Sequence, residues 1–266
     1  MKLVTYETDR QQRVGVLTDD GVTDTGFTTM SALLLAGPPS APVGDTVQPE
    51  RLLPPVTDPG KIVCIGLNYV SHAQEAGLEP PETPTLFAKY SNALAAPDTE
   101  VKLPDYSSKV DYEAEVAFVI GKRAKDVAEA DALDYVAGYM LLNDLSARDM
   151  QFATPQWMPG KIFDGSAPCG PWLVTPDEAG AHDAIDIRLT LNGEEMQNGS
   201  TADLVHSIPA LVVYLSKLMT LEPGDIVSTG TPAGVGSTRD PHVWLKPGDE
   251  VIVESGTLGR LVNTIG

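Results

Sequence analysis

Residues 111–120 read DYEAEVAFVI, three acids alternating with Tyr112, Ala114 and Val116 before the run turns wholly apolar. Strand side chains switch faces at every residue, so Asp111, Glu113 and Glu115 share a face with Ala117 and Val119, while Tyr112, Val116, Phe118 and Ile120 line the other. A solvated face would stay polar to its end. The pattern therefore predicts a strand buried on both sides whose first half presents clustered carboxylates at the rim of a core. Acids so placed need a counter-charge.

Downstream of this strand, GYMLLND (138–144) reads as a second apolar strand that ends on an acid, so Asp144 lies at a strand end. Upstream, KIVCIG and TLFAKY are strands, with SHAQEAG as one or two helical turns between them. Farther on, IDIRLTLNGEEM alternates and turns at Asn192 and Gly193, as a hairpin does. TADLVHSIPALVVYLSKLM is the one long helical pattern, with Pro209 expected at a first turn or kink. A short helix over AEADALDYVAG and the strands EPGDIVSTG, PGDEVIVES and GRLVNTI complete a mostly β, α+β chain rather than a doubly wound sheet.

At the N-terminus, KLVTYE and RVGVLTD form strands, with a turn at Asp20 and Gly21, and SALLLAG is a brief helix. Seven prolines between Pro38 and Pro59 mark a stiff connector and place a boundary: a small β-rich domain over 1–59 and a larger domain over 60–266.

The balance of 18 Lys and Arg against 37 Asp and Glu, a net charge of −19, argues against nucleic acid or an anionic membrane as partner. An acidic chain that handles an anionic substrate must build a local positive site, and a bound divalent cation does so. Two cysteines make no disulfide framework, the start MKLVTYETDR has no signal-like apolar run, and no window spans a membrane, so the expected compartment is the cytoplasm.

Four elements carry candidate chemistry. Glu113, Glu115 and Asp144 offer hard oxygen ligands with no Cys nearby and no His spaced to join them, which suits Mg²⁺ or Mn²⁺ over zinc. In GLNYVSHAQEAG, His72 and Glu75 share a helix face and read as a general base oriented by a carboxylate; the plain alternative is an exposed pair on a helix capped by Ser71. Lys89 and Lys161 sit in loop-forming surroundings, where most lysines are merely solvated. STGTPAGVG (228–236) follows a strand and offers backbone N–H groups and hydroxyls to a carboxylate, but it lacks the GxxxxGK[ST] pattern of a phosphate loop.

In their order, GLNYVSHAQE, DYEAE, NDLSARDMQ, GKIFDGSAPCGPW, the turn near 192 and STGTPAGVG resemble the fumarylacetoacetate hydrolase family over residues 60–264, specifically its small members related to acylpyruvate hydrolases and oxaloacetate decarboxylases. The resemblance implies a mixed β-roll around a pseudo-barrel, a homodimer, and Mg²⁺ or Mn²⁺ held by Glu113, Glu115 and Asp144. It further implies a His72–Glu75 dyad on a lid helix, Lys161 facing the substrate with Gln151 in support, Thr231 with Gly230 at the substrate carboxylate, and Lys89 nearby. Asp111 fits the motif but not the ligand set.

The implied substrate is a small 2-oxo acid. Hydrolysis of the C–C bond of an acylpyruvate or related β-diketo acid is the first expectation, through a metal-stabilised pyruvate enolate. Oxaloacetate decarboxylation, keto–enol tautomerisation and a hydroxymuconate-type isomerisation share that enolate and stand as alternatives. A non-catalytic binding protein on the same fold is the rival from another class.

Overall fold

The computed structural model describes residues 1–37 and 44–266, so Pro38, Pro39 and Pro42 of the expected connector lie outside the described residues. The strand Ala114–Ile120 is buried at every position. Its partners are Val136–Asn143 on one side, with Ala114 opposite Asn143, and Ile226–Ser228 on the other, with Ala117 opposite Ser228. Its two faces enter different cores. Tyr112, Val116, Phe118 and Ile120 pack with Leu211, Leu215, Val251 and Leu261, whereas Ala117 and Val119 pack with Cys64, Met140, Leu142 and Cys169. The period-two reading of DYEAEVAFVI is thus realised in space, and the fold is mostly β.

This strand belongs to a 12-stranded, open sheet. Beyond Ile226–Ser228 the sheet continues to Ile62–Gly66, in parallel pairing, and then antiparallel to Thr85–Lys89. In the other direction it runs through Val136–Asn143 and Ala167–Val174 to the N-terminal strands Lys2–Thr8, Gln11–Thr18 and Gly21–Asp24. Lys2 stands opposite Val174, and Leu3, Val14 and Val16 share one core with Ala117 and Val119. A five-stranded sheet carries the hairpin Asp186–Leu191/Glu194–Ser200 with Glu250–Ser255, Gly259–Ile265 and Thr99–Val101.

Two helical readings change. The long pattern from 201 folds as a 3₁₀ turn, Thr201–Asp203, and a helix that starts only at Ile208. Ser207 caps that helix by accepting the Ala210 N–H, and Pro209 falls in the first turn, where its missing N–H costs nothing. Glu129–Tyr135 winds as a 3₁₀ helix. No helix among the described residues is long and apolar enough to cross a membrane.

Candidate active site

Where the carboxylates emerge, the strand ladder stops. Val110–Asp111 pairs with Ser146–Ala147 in a separate two-stranded ribbon, which leaves Tyr112 and Glu113 as a break before Ala114. Buried backbone donors at such a break must find partners. The Glu113 N–H donates to Asn143 Oδ1 at 3.0 Å and the Ala114 N–H to Gln197 Oε1 at 2.8 Å. Asp144 N–H donates to the Glu113 carbonyl at 2.8 Å, which sets the two carboxylates side by side. One ligand oxygen each of Glu113, Glu115 and Asp144 lies within 4.8 Å of the others, and all three residues are buried.

Three cationic side chains surround them. Lys161 Nζ donates to Glu113 Oε2 at 2.6 Å and Asp144 Oδ2 at 2.8 Å. Lys89 Nζ lies 2.8 Å from Asp144 Oδ1 and also donates to the Ser166 carbonyl and hydroxyl, both at 2.9 Å, and to the Lys161 carbonyl. Arg148 is 2.8 Å from Glu113 Oε1 and 2.8 Å from Asp111 Oδ2. Both lysines are 2% exposed, so neither is the solvated residue that base composition favours. Counting Asp111, four acids face three cations, a formal surplus of one negative charge.

The surplus falls on Glu115. Its carboxyl is pushed up to about 8, first by burial and then by repulsion from Asp144 and Glu113, although the Ser228 hydroxyl donates to it. For Glu113, burial acts upward too, but Lys161 and then Arg148 hold it well below the usual carboxylate range. A divalent cation fits this donor set: the ligands are hard oxygens at strand ends, and adding two positive charges turns the surplus into a net positive site suited to an anion.

Above the trio opens a cavity of about 150 Å³, lined by Glu113, Glu115, Lys161, Arg148, Gln151 and Thr231 at its floor and by Leu78, Phe87, Phe152 and Trp157 on its walls. His72, on the helix Val70–Glu75, also lines it, with its side chain 12% exposed. His72 Nδ1 is 3.5 Å from Glu75 Oε2, and both oxygens of Glu75 accept the Gly234 N–H, at 3.0 and 3.1 Å. Burial opposes ionisation of Glu75, but His72, Gly234 and Thr238 hold its pKa below the ordinary value. The pair is therefore partly buried, and Ser71 is not the cap: Tyr69 precedes the helix without a side-chain bond, and Ser71 binds Asp203 instead.

The remaining expected residues divide. Gln151 lines the cavity while its Oε1 accepts from Arg148 at 2.9 Å, and Thr231 lines it while donating to the Ala114 carbonyl at 2.9 Å. Lys89 and Gly230 stand behind the carboxylates: the first faces Asp144 and the second donates its N–H to Glu115 Oε2 at 3.1 Å. Sequence reasoning passed over Arg148 and Gln197. Arg148 lies within NDLSARDMQ, four residues after Asp144, where its polar neighbours give no sign of burial; its contacts with Asp111 and Glu113 are what mark it. Asp111 finds its place here, accepting from Arg148 and from the Gly236 and Ser237 N–H groups.

The sequence model of the fumarylacetoacetate hydrolase C-terminal region matches residues 61–266. The mitochondrial oxaloacetate tautomerase fahd2 of Xenopus laevis is 44% identical over 216 residues, covering 80% of this chain and 68% of its own length. Among solved structures, a 5-carboxymethyl-2-hydroxymuconate delta-isomerase from Mycobacterium smegmatis is 32% identical with a TM-score of 0.84, covering 100% of this chain and 99% of its own. A fumarylpyruvate hydrolase from Pseudomonas aeruginosa, solved with Mn²⁺ and pyruvate, is 32% identical with a TM-score of 0.72, covering 81% and 91% respectively. On the strength of this match, which spans every residue lining the cavity, the chain belongs to the fumarylacetoacetate hydrolase family.

Proposed function

We propose that the chain is a divalent-cation-dependent enzyme that transfers a proton at C3 of a small 2-oxo acid, interconverting keto and enol forms as an oxaloacetate tautomerase does. One observation carries the reading: His72, backed by Glu75, is the base that faces the cavity without being tied to a buried acid. Lys161 and Arg148 are already engaged by Glu113, Asp144 and Asp111. The cavity, about 150 Å³, suits a compact substrate. Likeness to the Xenopus tautomerase supports the same choice and moves proton transfer ahead of the C–C hydrolysis expected from sequence.

A bound Mg²⁺ or Mn²⁺, held by Glu113, Glu115 and Asp144, would supply a positive centre for the substrate carboxylate and 2-oxo oxygen. His72 takes a proton from C3 as negative charge moves onto the 2-oxo oxygen, and the enol is completed when that oxygen takes a proton from solvent water while His72 gives up the C3 proton to solvent. In the reverse direction His72 returns a proton to C3. Glu75 stabilises the imidazolium formed in either direction. Lys161, facing the same oxygens, steadies the charge. The 3.5 Å separation of His72 and Glu75 is of the kind that shortens when substrate binds.

Hydrolysis of acylpyruvates is the second reading, favoured by the apolar wall of Leu78, Phe87, Phe152 and Trp157, which suits an acyl chain better than a second carboxylate. It asks His72 to activate water for attack on C4, after which the C3–C4 bond breaks and C3 is protonated. Decay of enol-oxaloacetate, followed by its ultraviolet absorbance with Mn²⁺-loaded protein, separates the two from acetylpyruvate cleavage. Enol decay should be the faster, and His72→Ala should slow it by about 10²- to 10⁴-fold. Faster cleavage of acetylpyruvate transfers the assignment to hydrolysis, and a His72→Ala rate equal to the parent's removes the histidine from the chemistry.

A further inference from the structure

We propose that Asp203 is a positioning residue for His72, acting as a cap supplied from a distant segment to the helix that carries the base. The proposal rests on the reading of His72 as proton carrier. The helix Val70–Glu75 has six residues, too few to persist on its own in water. Its preceding residue, Tyr69, makes no side-chain bond to the first turn, so the turn's N–H groups depend on outside acceptors.

Asp203 is that acceptor. Its Oδ2 takes the Ser71 N–H at 3.1 Å and the Ser71 hydroxyl at 2.5 Å, across 132 residues of sequence. Ser71 is the immediate neighbour of His72, so the bond fixes the turn from which the imidazole projects. A carboxylate at this end also meets the positive pole of the turn. Asp203 is itself held: the Ser200 hydroxyl caps its 3₁₀ turn by accepting the Ala202 N–H, Leu204 bridges Tyr69, and the Val205 N–H donates to the Asn68 carbonyl at 2.8 Å. The helix thus hangs between Asp203 at its start and the Gly234–Glu75 contact at its end. The Glu75 contact also serves the dyad, whereas Asp203 is not among the residues lining the cavity.

Asp203→Ala and Asp203→Asn in the Mn²⁺-loaded full chain test this. Asp203→Ala should lower kcat for enol-oxaloacetate by about 3- to 30-fold, the factor reached when the stability cost of a lost cap is expressed in the reaction barrier. KM and the affinity for oxalate, a probe of the carboxylate floor alone, should stay within about twofold of the parent, since the floor is untouched. Hydrogen exchange of the Val70–Glu75 amides should accelerate while that of Ala114–Ile120 does not. Asp203→Asn, which keeps an acceptor oxygen, should recover most of kcat. Unchanged amide exchange overturns the cap, and faster exchange with unchanged kcat overturns its role in the reaction. Should no 2-oxo acid be turned over, the exchange measurement still decides whether Asp203 holds the helix, and the functional reading fails separately.

Discussion

The floor of the cavity and the helix above it are built on opposite principles. Glu113, Glu115 and Asp144 stand at strand ends, closed in by Lys89, Lys161 and Arg148, and every one of these six residues is buried. His72 rides on six helical residues whose attachments are a carboxylate–serine bond at one end and a glycine N–H at the other. The floor is fixed by charge that cannot leave without exposing a partner to low dielectric. The helix is fixed by a few surface-reaching hydrogen bonds, each of modest net worth. Under the proposed function, binding would fall to the charge-fixed floor and proton transfer to the lightly tethered helix.

The harshest way to break this contrast is to remove a floor ligand. Glu115→Ala should abolish turnover and weaken Mn²⁺ binding to the limit of calorimetric detection, yet leave the circular dichroism spectrum intact. Removing Glu115 takes away the acid that burial and repulsion push up to about 8 in the metal-free protein. Mn²⁺ affinity equal to the parent's would show that the trio is not the metal site.

A smaller effect sharpens the same contrast. Arg148→Met strands Asp111 and Glu113 as buried acids with one cation fewer, and should lower unfolding free energy by about 3–5 kcal/mol in urea titration. Ser71→Ala, by comparison, should cost no more than about 2 kcal/mol globally, since it removes one bond of a short surface helix. Equal losses from both would erase the distinction between floor and helix.

An effect silent at neutral pH lies away from both. Burial pushes the Cys169 thiol from its ordinary value of 9.0 up to about 12. Between those values the unfolded chain releases the proton while the folded chain keeps it. Stability is therefore full below pH 9 and falls above it, by about 1.4 kcal/mol per pH unit from this group. Cys169→Ala should flatten the alkaline limb of a stability–pH profile by that slope, whatever its offset at neutral pH. An unaltered limb would mean that the thiol ionises without unfolding.

Much of the floor was legible in the sequence because strand periodicity is local. Asp111, Glu113 and Glu115 reveal their common face within five residues, and the apolar continuation to Ile120 reveals its burial. Asp144 was legible as the end of an apolar run. Arg148 was not singled out, because a lone arginine after an acid looks like any surface residue until its partners are located. Asp203 could not be placed by pattern at all. It lies in a stretch whose helical spacing suggested a continuous helix from 201, and only the break enforced before Ile208 frees residues 203–206 to contact Asn68 and Ser71. Long-range hydrogen bonds of this kind leave no period to read.

The strand Ala114–Ile120 also constrains how such a protein can change over generations. Its residues divide between two cores, and its leading end carries the acids, so a substitution that altered the acids would disturb packing, charge balance and chemistry together. By contrast, Phe152–Gln156 is exposed, and Phe152 and Trp157 face the cavity from loop positions. The rim can therefore change at a lower structural cost than the centre, where one substitution would disturb packing and charge balance at once.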